Sequence, residues 1–196
     1  MRRESRILGI DDGPFSKFGG SHRTLIVGAL FRGGIFLDGI LSTYAEVDGS
    51  DSTEKIIGMI KGSRFFPQIR IIMFKGVSVA GFNVLDIRKI NFETGIPVVI
   101  FMRKMPDFDG IRKALSNLPD GMKKWDMIKR AGRIHKISID HRNSLKEALI
   151  QVRGMSIKEA AEAVKMSCTH SAVPEPLRIA HMIASGIVKG ESKGKA

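Results

Sequence analysis

Two adjacent carboxylates, Asp11 and Asp12, close the apolar run Arg6-Ile7-Leu8-Gly9-Ile10 and are followed at once by Gly13. A run of this kind reads as a buried strand that ends abruptly in a turn. A strand ending in acids places negative charge at the rim of a sheet. Mg²⁺ and Mn²⁺ take hard oxygen ligands, and one or two such ions on converging carboxylates activate water against a phosphodiester. The other acids available for such a site are Asp38, Asp48, Asp51 and Asp86. Each has an ordinary structural use: Asp38-Gly39 a bulge, Asp48-Gly49 a loop, Asp51 a helix cap, Asp86 a surface helix position. Asp12-Gly13 can likewise be a turn. Asp11 is the hardest to assign a passive role, because an acid at the end of a buried strand needs a partner for its charge.

These acids sit in a basic chain. Lys plus Arg number 32 against 20 Asp plus Glu, a net charge of +12 and a pI near 10.1. Such an excess attracts polyanions, nucleic acid first, without implying sequence specificity. The 43% hydrophobic and 7% aromatic content excludes a disordered chain. No apolar run approaches the roughly 20 residues a membrane-spanning helix needs. The opening residues lead into a strand pattern with no signal-peptide core, and the lone Cys168 rules out an intramolecular disulfide. A cytoplasmic protein is expected.

The elements that position the acids follow a definite order. Strands are expected at residues 6–11, 24–31 and 35–47, joined by short connections, with Arg32-Gly33-Gly34 as a hairpin turn and Gly39 marking a bulge. The pattern then alternates. Asp51 and Glu54 resemble a capping box before Ile56, Ile57, Met59 and Ile60, and a strand follows at 69–74. A helix is expected over 81–92 and a strand over 96–102, a parallel crossover pattern. Two helices over 104–133, strands near 134–139 and 148–153, a capped helix from Ser156 and a last helix from Pro174 complete the chain. Leu177, Ala180, Ile183, Ala184, Ile187 and Val188 are the expected core face of that last helix. Residues 1–189 are read as a single domain and 190–196 as a frayed tail. The fold class is α/β: a ribonuclease H-like mixed sheet, an antiparallel meander followed by parallel strands, with flanking helices. Phe18-Gly19-Gly20 and Arg32-Gly33-Gly34 match neither a P-loop nor a dinucleotide fingerprint.

Several local motifs, in order, resemble endonuclease V: Gly9-Ile10-Asp11, Ile71-Ile72-Met73-Phe74-Lys75-Gly76, Gly95-Ile96-Pro97-Val98, Arg103-Lys104, and Pro174-Glu175-Pro176-Leu177-Arg178-Ile179-Ala180-His181. Arg32-Gly33-Gly34, Val47-Asp48-Gly49 and Gly81-Phe82-Asn83-Val84-Leu85-Asp86 make the archaeal branch of that family the nearest likeness. The resemblance implies that Asp11 is a metal ligand and Lys104 lies in a Lys-bearing turn at the site. Asp48 or Asp51 stands in for a further acid, so that Asp11, Asp48 and Asp51 are the candidate set for Mg²⁺ or Mn²⁺. Two departures fall on the chemistry. Lys75 stands where the family carries a metal-binding Asp, and Met155 where it carries a His.

An ammonium beside Asp11 would replace the charge of a metal and repel Mg²⁺. At ~4 Å and an effective dielectric of ~20 the attraction is about 4 kcal/mol before desolvation. The expected catalytic group is therefore Asp11, Asp48, Lys75 and Lys104, with Arg23, Arg32 and Arg103 as nucleic-acid contacts. His22, His135, His141 and His170 have no ligand spacing, and His181 lies within the last-helix motif. The expected function is a nucleic-acid-binding protein resembling endonuclease V, a divergent metal-dependent endonuclease. The alternative is an inactive protein that binds nucleic acid or a protein partner through its basic surface.

Overall fold

The first apolar run is strand β1 (Arg6–Asp12), and its residues 7–11 are all buried. It pairs antiparallel with β2 (Arg23–Arg32), which pairs antiparallel with β3 (Phe36–Glu46). The structure is a computed structural model that describes residues 4–15 and 22–193; Phe18-Gly19-Gly20 and residues 194–196 lie outside the described residues. Gly33 and Gly34 turn the chain between β2 and β3 at φ of 57° and 77°. Asp38 is the extra residue of a bulge, between the Leu30–Gly39 and Phe31–Leu37 pairs.

Helix α1 (Ser52–Lys61) leads to β4 (Ile69–Lys75), which lies parallel to β1 on the side away from β2. A two-stranded hairpin follows, β5 (Ser78–Val79) and β6 (Asn83–Val84), and only then helix α2 (Ile87–Thr94). The helix expected over 81–92 therefore starts later. Ala80 and Gly81 take positive φ of 48° and 78°, which a helix excludes, and the Asp86 side chain caps α2 by accepting from Arg88 and Lys89 N–H.

Strand β7 (Val98–Met102) is parallel to β4. Helices α3 (Phe108–Leu115) and α4 (Gly121–Arg130) precede the hairpin β8 (His135–His141) and β9 (Ser144–Arg153). Arg142 and Asn143, both at positive φ, form its two-residue turn. Because β9 runs antiparallel to β7, the parallel portion ends at β7. Helices α5 (Ile157–Ser167) and α6 (Glu175–Lys189) close the chain. Ser156 and Glu159 form the expected capping box on α5.

The seven-stranded sheet has the order β3-β2-β1-β4-β7-β9-β8, so β1 is internal and β3 is an edge. Alternation along β1 sends Leu8 and Ile10 to one core, with Ile26, Leu30, Ile56, Ile60, Ile72 and Phe74. Ile7 goes to the other, with Ile71, Met73, Val99 and Leu177. Helices α1 and α2 thus cover one face and α5 and α6 the other. In α6 the buried face is Leu177, Ala180 and Ala184, whereas Ile187 and Val188 are exposed because the helix runs past the end of the sheet under it. No helix among the described residues is long and apolar enough to cross a membrane.

Candidate active site at the strand ends

Gly9 sets the position of the site. A Cβ at residue 9 would lie 2.3 Å from the Pro176 carbonyl carbon and 2.6 Å from the Leu177 nitrogen, so only glycine lets the start of α6 rest on β1. Helix and strand then run side by side, and His181 comes level with the end of β1. Its Nδ1 lies 3.1 Å from Asp11 Oδ2. Asp11 is 5% exposed. Its Oδ1 accepts from the Asp12 N–H at 3.0 Å. Oδ2 is buried and receives no aligned hydrogen bond among the described residues, the His181 contact being close but poorly directed. A buried carboxylate oxygen without a donor is a costly arrangement outside a functional site.

Asp12 turns toward the β5–β6 hairpin, where its Oδ2 accepts from Ala80 N–H at 2.8 Å. Burial, and then the neighbouring charge of Asp11, pushes its pKa up to about 6. The Ala80 carbonyl in turn accepts from Asp48 N–H at 2.8 Å, and Asp48 Oδ1 accepts from Phe82 N–H at 2.8 Å. Asp48 has φ of 56°, and its carbonyl accepts from the buried Lys124 ammonium at 2.7 Å. Asp51 does not cap α1 with its side chain. Its Oδ1 accepts instead from Glu46 N–H and from Asn83 Nδ2, at 3.0 and 2.7 Å. Both acids thus spend an oxygen on holding loops, and the candidate set Asp11, Asp48 and Asp51 does not converge. Among the described residues no three His, Cys, Asp or Glu side chains gather into a set that could hold a metal ion. The described residues therefore do not supply the three-carboxylate set expected for Mg²⁺ or Mn²⁺.

Lys75 ends β4 one step beyond the Ile10–Phe74 pair, level with Asp11 and on the same face by strand alternation. Lys75 is half-buried and makes no ion pair among the described residues, and His181 is the group at the Asp11 carboxylate. Arg103 and Lys104 follow the end of β7, the next strand along, and are exposed at the same rim. Arg23 opens β2 beyond that rim, 3.9 Å from Glu46. Arg32 does not belong with them. It pairs with Arg6 at the far end of β1 and is held by Asp38 at 2.7 Å, because β2 runs antiparallel to β1. Met155, where the resemblance implies a His, packs against the apolar core under α5.

Sequence reasoning left His181 out of the site, although its motif was visible. Within that motif Glu175 is structural: buried, it binds Arg178 through both oxygens and has His170 Nδ1 at 3.4 Å. Beside His181, Ser185, Lys189, Glu191, Ser192 and Lys193 complete a cleft of about 540 Å³.

The seven-stranded mixed sheet, antiparallel on one side of β1 and parallel on the other, is a ribonuclease H-like fold. The catalytic domain of human endonuclease V superposes over 95% of this chain and 83% of its own, with a TM-score of 0.61 at 14% identity, a likeness of fold. The chain belongs to the endonuclease dU family, whose model matches residues 3–188. A UPF0215 protein of Methanothermobacter thermautotrophicus is 47% identical over 197 residues, covering 100% of this chain and 94% of the relative. A protein of unknown function from Archaeoglobus fulgidus has the same fold in its crystal structure, with a TM-score of 0.82 at 37% identity over 94% of this chain and 99% of that one. The archaeal endonuclease V-like family expected from the motifs is therefore the family found.

Proposed function

We propose that this chain is an endonuclease that cleaves nucleic acid at the rim formed by the ends of β1, β4 and β7. The observation that supports the reading is the buried Asp11 carboxylate facing His181 at 3.1 Å across the junction of β1 and α6. An imidazole beside a carboxylate can serve as a general base and take a proton from an attacking water. The developing charge on the phosphate would be met by Lys75, level with Asp11, and by Arg103 and Lys104 on the adjoining loop. The net charge of +12 draws the polyanion to the surface. The family's name directs the choice of substrate: DNA containing deoxyuridine is the first to test, with inosine-containing DNA and RNA beside it.

Cleavage of each strand is measured in Mg²⁺, in Mn²⁺ and in chelator, with wild type, Asp11→Asn and His181→Ala. Cleavage by wild type that both variants lose supports the reading; cleavage retained by both refutes it. One observation favours a second reading. Among the described residues the carboxylates do not gather into a set of three for a metal, which suits a descendant that binds nucleic acid without cutting it. That reading predicts no cleavage under any condition, with binding that weakens steeply as salt rises, log K falling by ~0.7–0.9 per phosphate contact for each log unit. Charge reversal of Arg23, Arg103 and Lys104 should reduce both affinity and salt slope.

A further inference from the structure

We propose that β3 is a dimerisation edge, at which two copies of this chain join their sheets antiparallel about a two-fold axis at Ser42. The edge is long and unprotected. Residues 36–46 contain no Lys, Arg or Pro, in a chain with 32 Lys and Arg. Those residues are the usual devices that keep an edge strand from pairing. The one device present, the Asp38 bulge, leaves residues 39–46 in unbroken register with β2. The outward peptide groups of residues 36–45 have no other hydrogen-bond partner among the described residues.

The side chains point the same way. Ile40 and Tyr44 pair with Ala29 and Leu25, on the face whose β1 and β2 portion α6 covers. They are nevertheless 41% and 56% exposed, and Leu37, on the same face opposite Phe31, is 47% exposed. Apolar residues clustered in this way mark an interaction surface.

Pleating selects the register. Residues directly opposite in an antiparallel pair share a face, so a two-fold axis must pass at a residue and not between two. An axis at Leu41 sets Ile40 against Ser42 and Asp38 against Tyr44. An axis at Thr43 sets Ile40 against Glu46. Only the axis at Ser42 sets Ile40 against Tyr44 of the second copy, twice over, an apolar cross-strand pair. The same axis sets Gly39 against Ala45 and Leu41 against Thr43, so the pairing stays within the regular register and stops short of the Asp38 bulge.

This arrangement also places the two candidate sites. Asp11, Val27 and Ser42 form one row across the sheet. Two such rows meeting at Ser42 set the Asp11 residues five strand spacings apart, about 24 Å. Sheet twist turns one relative to the other by roughly 100°.

The test is sedimentation equilibrium of the full chain without nucleic acid, over a wide concentration range and at low and high salt. Wild type is expected at twice 21.6 kDa. Its association should strengthen with salt, because screening relieves the repulsion between two strongly basic copies. Ser42 is exposed, so Ser42→Lys and Ser42→Glu should keep the wild-type circular dichroism spectrum. Each variant alone should be monomeric, since like charges meet on the axis, and an equimolar mixture should recover the double mass. A monomeric wild type at all concentrations overturns the proposal. So does a Ser42→Lys chain that keeps the double mass, or a mixture that stays monomeric.

Discussion

The Asp11 carboxylate on the first strand and the His181 imidazole on the last helix meet at 3.1 Å, although the chain between them supplies the other strands and helices of the sheet. Oδ2 of Asp11 has no better-directed donor among the described residues, so this contact decides how the acid is used. Removing the imidazole by His181→Ala should lower strand cleavage by roughly 100-fold or more, the usual contribution of a positioned general base. Affinity for the same strand, measured by fluorescence anisotropy, should stay within a few-fold. An unchanged cleavage rate would take His181 out of the reaction.

Gly9 is where the helix carrying His181 touches the strand carrying Asp11. Gly9→Ala drives a Cβ into the α6 backbone and should cost about 1–3 kcal/mol or more, because overpacking against main chain has no cheap relaxation. Gly58, inside α1 with nothing within 4 Å of where a methyl group would stand, is the control. Gly58→Ala should stabilise by roughly 0.5–1 kcal/mol. Urea denaturation of the two variants should shift in opposite directions.

Asp12 makes stability depend on pH. Its carboxyl, ordinarily at 3.8, is pushed up to about 6 by burial and by Asp11, so the folded chain holds a proton that the unfolded chain releases. The contribution is fully present below the unfolded value and is lost as pH rises through the folded one, a decline between about pH 4 and pH 6. Asp12→Asn keeps an oxygen for the Ala80 N–H without the charge. Above pH 6 it should be more stable than wild type by up to about 3 kcal/mol, each pKa unit being about 1.4 kcal/mol. Below pH 4 the two should converge, and parallel profiles across the window would show that Asp12 titrates normally.

Lys75 bears on metal affinity. With the ammonium level with Asp11, wild type should bind Mg²⁺ and Mn²⁺ weakly by calorimetry. Lys75→Asp brings a second carboxylate to the adjacent strand end and should raise the affinity at least several-fold, since hard cations follow carboxylate count. Tight binding by wild type that the substitution abolishes would overturn this electrostatic account.

Much of the architecture is local and therefore readable along the chain. The apolar run before Asp11 must be buried and its acids must stand at its end; Gly33 and Gly34 allow the positive φ of the β2–β3 turn; Ser156 and Glu159 cap α5 within four residues. The order of strands and helices then restricts the sheet to a ribonuclease H-like arrangement. Partnership between distant side chains is not local. Asp48 and Asp51 have the residue type of metal ligands, yet their oxygens serve Phe82, Glu46 and Asn83, a use set by where the hairpin folds back. Arg32 is placed far from the site by the antiparallel direction of β2, and β9 reverses against β7 for want of a crossover helix between β8 and β9. Ile187 and Val188 keep the helical period of a core face but lie beyond the sheet that would cover them. The sequence alone determines that Asp11 ends a buried strand, because burial and turn formation depend on neighbours in the chain. That His181 answers it is decided only in three dimensions, where the missing Cβ of Gly9 lets a helix from the other end of the chain settle against that strand.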